Sequence, residues 1–529
     1  NHAVSGLRIM SSLLWKKRRR FKKENNMSVN WKLESDVNDY VKKQFENLGL
    51  KKLVDFNEES AMSDYLKEAL QGAAKTQTKT NFGKPDFHVE KYKRIPILIE
   101  DKLKLKFCQD DLDFPPTWLD EKIRPYFPVI LQNFAREFFY DRLPVYEFMN
   151  IIQIWVRYYY TMLARNQIDI VVFVDIPHEG GRSILYPMAQ AMGIPTLMLV
   201  PSGPFGTFAY CFSIEDYGRF ADVPIFRTPH PEETEIRQDY KKDLYYMKGK
   251  HAPKKRKTLQ YRLRRLASPK AFIKRKKDVF ESTLQKYSSI QEFILKKVAA
   301  CAMNYDEKKK YQANAIKCSE KNIDFNCDYV YFPLHLQPEM TTDVLGGIYC
   351  DQLLAIEKLR AMLPSDWMIY VKENPKQTKL MRLDFFFKRL KLIPNVKYVD
   401  RSIDTYALME HAKFVATITG TAGWEAISGG KNALIFGRIW YETFPGVFQY
   451  HEGLRLEDIT SYVIDHDALE QALHCYLEKT VDAVYSPAVQ EAMPAFDAKK
   501  NDEKLEKFFR FIIPYMEEHQ PHAAGRERK

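Results

Sequence analysis

Short apolar runs, each ending in a few polar or small residues, recur along the C-terminal half of this chain. Tyr329–Pro333, Trp367–Lys372, Val396–Val399, Phe414–Ile418 and Asn432–Phe436 have strand length. Helical spacing of apolar positions lies between them at Cys350–Met362 and Thr405–His411. The same rhythm occurs upstream in IDIVVFVDIPHEGGRSILYPMAQAMGIPTLMLVPSGPFG. There Ile168–Val174 reads as a strand, Ile184–Met192 as a helix stopped by Gly193, and Ile194–Val200 as the next strand. Strands alternating with helices predict parallel sheets, with the working groups in loops at the carboxyl ends of the strands. The chain therefore predicts an α/β fold with two Rossmann-like lobes, at 106–290 and 320–500. A basic tail at 1–26 and a small α/β segment at 27–105 precede them, and a helical C-terminus near Asp502–Glu517 falls within 501–529.

Length and composition set the outer limits. At 529 residues, 45% of them hydrophobic and 14% aromatic, the chain has material for about three domains. A net charge of +12 favours anionic partners without choosing among a nucleotide, an acidic glycan, nucleic acid or a membrane face. The seven cysteines (108, 211, 301, 318, 327, 350 and 475) are scattered with no CxxC pair, which predicts free thiols in a reducing compartment and argues against zinc. No apolar run approaches the ~20 residues that span a bilayer, and the opening residues have the wrong order for a secretory signal. A cytoplasmic location with peripheral contact at the inner membrane is the expectation. The Lys/Arg-dense stretch 248–277, broken by Pro253 and Pro269, reads as a solvated connector between the lobes.

The candidate chemistry sits at the strand exits. His335, Gln337 and Glu339 follow the first strand of the C-terminal lobe, and His335 suits a general base or a phosphate contact. Lys372, Glu373 and Asn374 follow the next, where Lys372 could neutralise a phosphate leaving group and Glu373 could accept ribose or sugar hydroxyls. Thr419, Gly420, Thr421 and Gly423 form a small-residue turn opening a helix, a phosphate seat made of backbone N–H groups. In the other lobe, Asp175, His178 and Glu179 share one rim with Ser202 and Gly203. They are the candidates for the base that takes an acceptor proton.

FPLHLQPE, VKENP and TGTAGWEA, in this order and spacing, resemble the bacterial capsule polysaccharide biosynthesis proteins, and VVFVDIPHEGGRSILYPMAQAMGIPTL resembles the N-terminal half of the same family. The resemblance covers roughly 106–500. Relatives include the 3-deoxy-manno-octulosonic acid (Kdo) transferases of capsule assembly, with a GT-B fold and CMP-activated donors. It therefore implies a cytoplasmic glycosyltransferase building a surface glycan from a nucleotide-sugar donor onto a lipid-linked or glycan acceptor, with no cofactor required. It places the donor on 372–375 and 419–425, adding Glu425 to the donor residues, and the acceptor near 175–181 and 201–206. Where this chain has Asn374 before Pro375, the family commonly has His, and Asn cannot carry a proton at neutral pH.

Residues 80–102, TNFGKPDFHVEKYKRIPILIEDK, fit the PD-(D/E)xK nuclease pattern, and the segment from 27 onward resembles restriction–modification proteins. Asp86 and Glu100 could hold Mg²⁺ while Lys102 orients the attacking water, with Glu59 or Glu68 completing the acidic set. A full nuclease core needs another strand and helix after Lys102, where the capsule-like sequence begins instead. Three function classes follow: the glycosyltransferase, a Mg²⁺-dependent DNA endonuclease, and a non-catalytic glycan-binding or export-associated protein. DNA is the less favoured partner. A further reading makes 95–102 a strand of the transferase's first lobe.

Overall fold

The computed structural model describes residues 112–137, 145–166, 170–173, 175–178, 181–202, 207–236, 305–377, 381–484 and 497–519. The basic tail, the nuclease-like segment with Asp86, Glu100 and Lys102, the connector 248–277, and Glu179 and Gly203 lie outside them.

Two sheets organise the described residues. The larger has seven strands: β4 (Ser319–Glu320), β5 (Tyr329–Pro333), β6 (Met368–Lys372), β7 (Val396–Val399), β8 (Phe414–Thr417), β9 (Ala433–Ile435) and β10 (Val447–Gln449). Their spatial order is β10-β9-β8-β5-β6-β7-β4, and every pair is parallel. The side-chain period of two divides the apolar residues cleanly. Tyr329 and Tyr331 of β5 face one buried cluster with Tyr370, Val415 and Ile435. Val330 and Phe332 face the other with Ile369, Val371 and Ala416. Helices cover both faces, as a parallel sheet requires. The Gln352–Met362 helix is capped by Asp351, whose carboxylate accepts from the amides of Leu353 and Leu354.

The smaller sheet is built from β1 (Val171–Phe173), β2 (Thr196–Pro201), β3 (Phe208–Cys211) and β11 (Thr480–Val481), in the order β1-β2-β3-β11. The expected strand–helix–strand unit is present, with the Arg182–Ala191 helix between parallel β1 and β2. Beyond it the sheet turns antiparallel. The sequence pattern names a loop at 201–206 and no strand after it in this lobe, and it assigns 480–500 to the second lobe. Hydrogen bonding instead makes Phe208–Cys211 a strand and puts β11 at the edge of the first sheet. The Ala498–His519 helix follows it there, setting the Phe508 ring against Phe208, Tyr210 and Phe226.

The chain thus returns to its first lobe, and among the described residues the larger buried cluster runs from Leu112 through both sheets to Met516. Among the described residues, the polar contacts between the lobes include Ser202 Oγ to Tyr476 Oη at 2.7 Å, Gln132 Nε2 to Cys350 Sγ at 3.1 Å, and Arg219 to Glu442 at 3.2 Å.

Candidate functional site

The order of the seven strands marks where a ligand belongs. From β5 the chain runs to β6 and β7 on one side, then returns to β8, β9 and β10 on the other. The reversal lies between β5 and β8, and the carboxyl ends of the strands at such a switch point are the crevice position at which open parallel sheets bind ligands. The two exits flanking it are 334–339 and 418–423, both singled out by sequence.

His335 stitches them together. It is only 8% exposed, and its Nε2 accepts the Thr419 N–H at 3.0 Å, with the Thr417 hydroxyl at 3.3 Å. Accepting at Nε2 puts the proton on Nδ1, which is buried without a hydrogen-bond partner. Burial, with the nearby Arg382 charge adding to it, pushes the imidazole pKa down to about 3. His335 is therefore neutral across ordinary pH, which suits a positioned hydrogen-bonding group and not a cation.

This shift has a measurable sign. Between the ordinary histidine value and about 3, the unfolded chain binds a proton that the folded chain refuses, so stability falls as pH falls through that window. The expected slope from this residue is roughly 1.4 kcal/mol per pH unit. Urea unfolding from pH 6 to pH 4 should show wild type losing stability relative to His335→Gln, and parallel curves would refute the assignment.

Gly420 precedes the Thr421–Ser428 helix and carries no side-chain cap. The helix start therefore leaves the amides of Thr421 and Ala422 without intrahelical acceptors, Thr421 being exposed and Ala422 half-buried. Glycine is required at Gly420 by crowding: a Cβ would sit 2.6 Å from Thr417 Oγ1 and 2.9 Å from His335 Nε2. At Gly423 a Cβ would meet the Tyr441 hydroxyl at 2.3 Å. Tyr441 donates that hydroxyl to the Gly420 carbonyl. Glu425 is buried, and its charge raises the pKa values of Tyr331, Tyr406 and Tyr441 after burial itself.

The remaining candidates on this lobe divide. The Gln337 side chain points into the protein, donating to Asp343 at 2.9 Å and the Cys350 carbonyl at 2.8 Å while accepting from Gln352 at 3.0 Å. The Glu373 carboxylate accepts from Arg382 Nε at 3.0 Å and from the Asn374 amide at 3.0 Å, both charged side chains being almost fully buried. Those oxygens are committed internally and are not turned to a sugar. Lys372 donates to the Ile403 carbonyl and the Thr405 hydroxyl, and burial lowers its pKa. Asn374 accepts the Lys376 amide at 2.9 Å, shaping the turn. Glu339 is half-buried, its backbone N–H held by Asp343.

On the first lobe, Asp175 accepts its neighbour's amide, Ile176 N–H, at 2.8 Å. His178 Nδ1 lies 2.6 Å from the Ile176 carbonyl, which fixes Nδ1 as the protonated nitrogen and Nε2 as the basic one. Burial raises the pKa of the Tyr217 phenol, with smaller contributions from Tyr476, Cys211, Asp175 and Tyr441.

Comparison with known proteins bears on the same stretch. Residues 246–452 match the family model described as capsule polysaccharide biosynthesis protein. The matched stretch contains β5 to β10 and both exits of the crevice. The chain has no match among curated proteins. Among solved structures it is similar to the beta Kdo 2,7 transferase KpsC of Thermosulfurimonas dismutans, at 13% identity, covering 32% of this chain and 52% of that one with a TM-score of 0.22. The beta Kdo 2,4 transferase KpsC of the same organism gives 16% identity, 32% and 54% coverage and a TM-score of 0.21. The UDP-GlcNAc 2-epimerase of Methanocaldococcus jannaschii gives 11%, 69% and 82%, and 0.20. The chain spans about half the length of the two transferase structures. The fold is accordingly read from the strand order itself.

Within the matched stretch, sequence reasoning missed the residues that hold the exits in place. Gln352 pairs with both the N–H and the C=O of His335, at 2.8 and 3.2 Å. Gln377 does the same for Gln337, at 2.8 and 2.9 Å. Each amide side chain acts as a one-residue strand partner for an extended loop. Nothing in their local sequence marks this, because both partners are distant in the chain.

Proposed function

We propose that this protein is a glycosyltransferase of capsular or surface polysaccharide biosynthesis, taking a sugar from a nucleotide-activated donor bound at the β5–β8 crevice. The observation that carries the reading is the uncapped start of the Thr421–Ser428 helix at that crevice, inside the region matching the capsule family. The Thr421 and Ala422 amides and the positive helix end suit the donor phosphate and stabilise the negative charge that develops as it leaves. CMP is one candidate nucleotide. Residues 372–375 and Glu339 border the crevice on the nucleotide side. The acceptor, a glycan or lipid-linked glycan, faces the first-lobe rim, where Asp175, His178 or Glu179 removes its proton. The scheme draws on the chain's own amides and side chains and requires no cofactor. No helix among the described residues is long and apolar enough to cross a membrane. Work at the cytoplasmic face, in peripheral contact with the inner membrane, is part of the proposal.

A second reading, a non-catalytic glycan-binding protein, is favoured by one observation: Asn374, Glu373 and Lys372 are all engaged in holding local structure. Thermal-shift titration with CMP, UDP and GDP separates the two. One nucleotide should raise the melting temperature at millimolar concentration, and the rise should shrink in Gly420→Ala. No shift from any of the three would sink the transferase reading. The endonuclease reading depends on residues outside the described structure.

A further inference from the structure

The geometry points to Arg382 as the positioning residue of the crevice, fixing the Thr419–Gly420 turn through His335. This rests on the donor-site reading for its consequence but not for its structure. Arg382 and Glu373 have side-chain exposures of 1% and 0%. The guanidinium spends its planar fork on three loops. Nε donates to Glu373 on the β6 exit at 3.0 Å, Nη2 to the His335 carbonyl on the β5 exit at 3.2 Å, and Nη1 to the Met381 carbonyl at 3.2 Å, with Gln337 Oε1 at 3.5 Å. The Phe386 ring supports the guanidinium, 4.4 Å away. Met381, just before it, takes a left-handed backbone with φ of 57°, a strain that the surrounding bonds hold in place.

The chain of contacts runs onward from His335. Its carbonyl is tied to Arg382, and its ring receives the Thr419 amide at 3.0 Å. That amide sets the direction in which the Gly420 turn presents the N–H groups of Thr421 and Ala422. Arg382 touches no ligand in this scheme. It acts on the β8 exit through a residue of the β5 exit, across the crevice. An apolar pair would fill the same buried space without the desolvation cost of two charges. The ion pair supplies what such a pair cannot, a directed donor set that locks one loop geometry.

The test compares wild type, Arg382→Lys, and the double variant Arg382→Met with Glu373→Leu, which removes both charges together. Two measurements are made: calorimetric titration with CMP, UDP and GDP, and hydrogen exchange of a peptide spanning 417–420. Both variants should fold cooperatively. Nucleotide affinity should fall about tenfold or more, as misplacement of a binding group implies, and exchange at the Thr419 amide should quicken. A folded double variant with wild-type affinity and unchanged Thr419 protection would overturn the proposal, leaving Arg382 a structural residue only. If wild type binds none of the three nucleotides, the donor reading fails. Faster Thr419 exchange in the variants would still establish the positioning role, and unchanged exchange would refute it. If the double variant does not fold, Arg382→Lys, which keeps the charge and loses the fork, decides by the same two measurements.

Discussion

Glu373→Ala is expected to cost about 3–5 kcal/mol of unfolding free energy, because it leaves a guanidinium charged and unpaired in the interior. The partner left behind, Arg382, is 1% exposed and has no route to water without breaking the loop it holds. Loss of the carboxylate also frees the Asn374 amide and removes an acceptor near the Tyr398 hydroxyl, 3.4 Å away. Urea unfolding followed by circular dichroism measures the change. The contrast is the exposed pair of Arg455 and Asp458, whose side chains are 73% and 37% exposed. Arg455→Ala should leave the midpoint nearly unmoved, since exposed pairs are screened. Equal midpoints for Glu373→Ala and Arg455→Ala would show that the buried pair is not what fastens the β6 exit.

Gly437→Ala is the second large effect, and it acts on the same crevice from the β9 side. A methyl there would lie 2.5 Å from the Leu345 carbonyl oxygen, 2.6 Å from Thr419 Cγ2 and 2.9 Å from the Gly346 Cα. Two of those three contacts are backbone, so a rotamer change cannot relieve them. The strand end is also pinned, with Gly437 N–H bonded to the Ile418 carbonyl and Arg438 N–H to the Leu345 carbonyl, each at 2.9 Å. Overpacking of this kind costs about 1–3 kcal/mol, and more where backbone must move. Because Thr419 is one of the atoms struck, nucleotide binding should weaken along with stability. A melting temperature within about 1 °C of wild type would contradict the close approach of these loops.

The exits were legible in sequence because strand ends are local. Apolar runs that stop at HLQPE, KENP and TGTAG announce both the strand and its terminus. The Val396–Val399 strand and the Thr405–His411 helix have the bounds that the pattern predicts. Three things were not legible. The crevice itself depends on strand order, and pairing of β5 with β8 is a contact 84 residues apart along Val330 and Phe414 that no local period encodes. The direction of polar side chains was hidden too. Gln337 and Glu373 look like ligand contacts in the sequence, yet they are buried and bond inward. Arg382 sits in a run, KLMRLD, that reads as an ordinary surface turn. The antiparallel half of the smaller sheet failed for a related reason. β11 has only two residues and joins β3 from the far side of the second lobe, so only tertiary pairing identifies it.

The central claim is that the β5–β8 crevice seats the phosphate of a nucleotide-sugar donor. A crystal structure with the best-binding of CMP, UDP and GDP tests it most directly. The expected result is a phosphate oxygen within hydrogen-bond distance of the Thr421 or Ala422 amide, with His335 still accepting from Thr419. A nucleotide bound elsewhere, with those two amides facing solvent, would contradict the account.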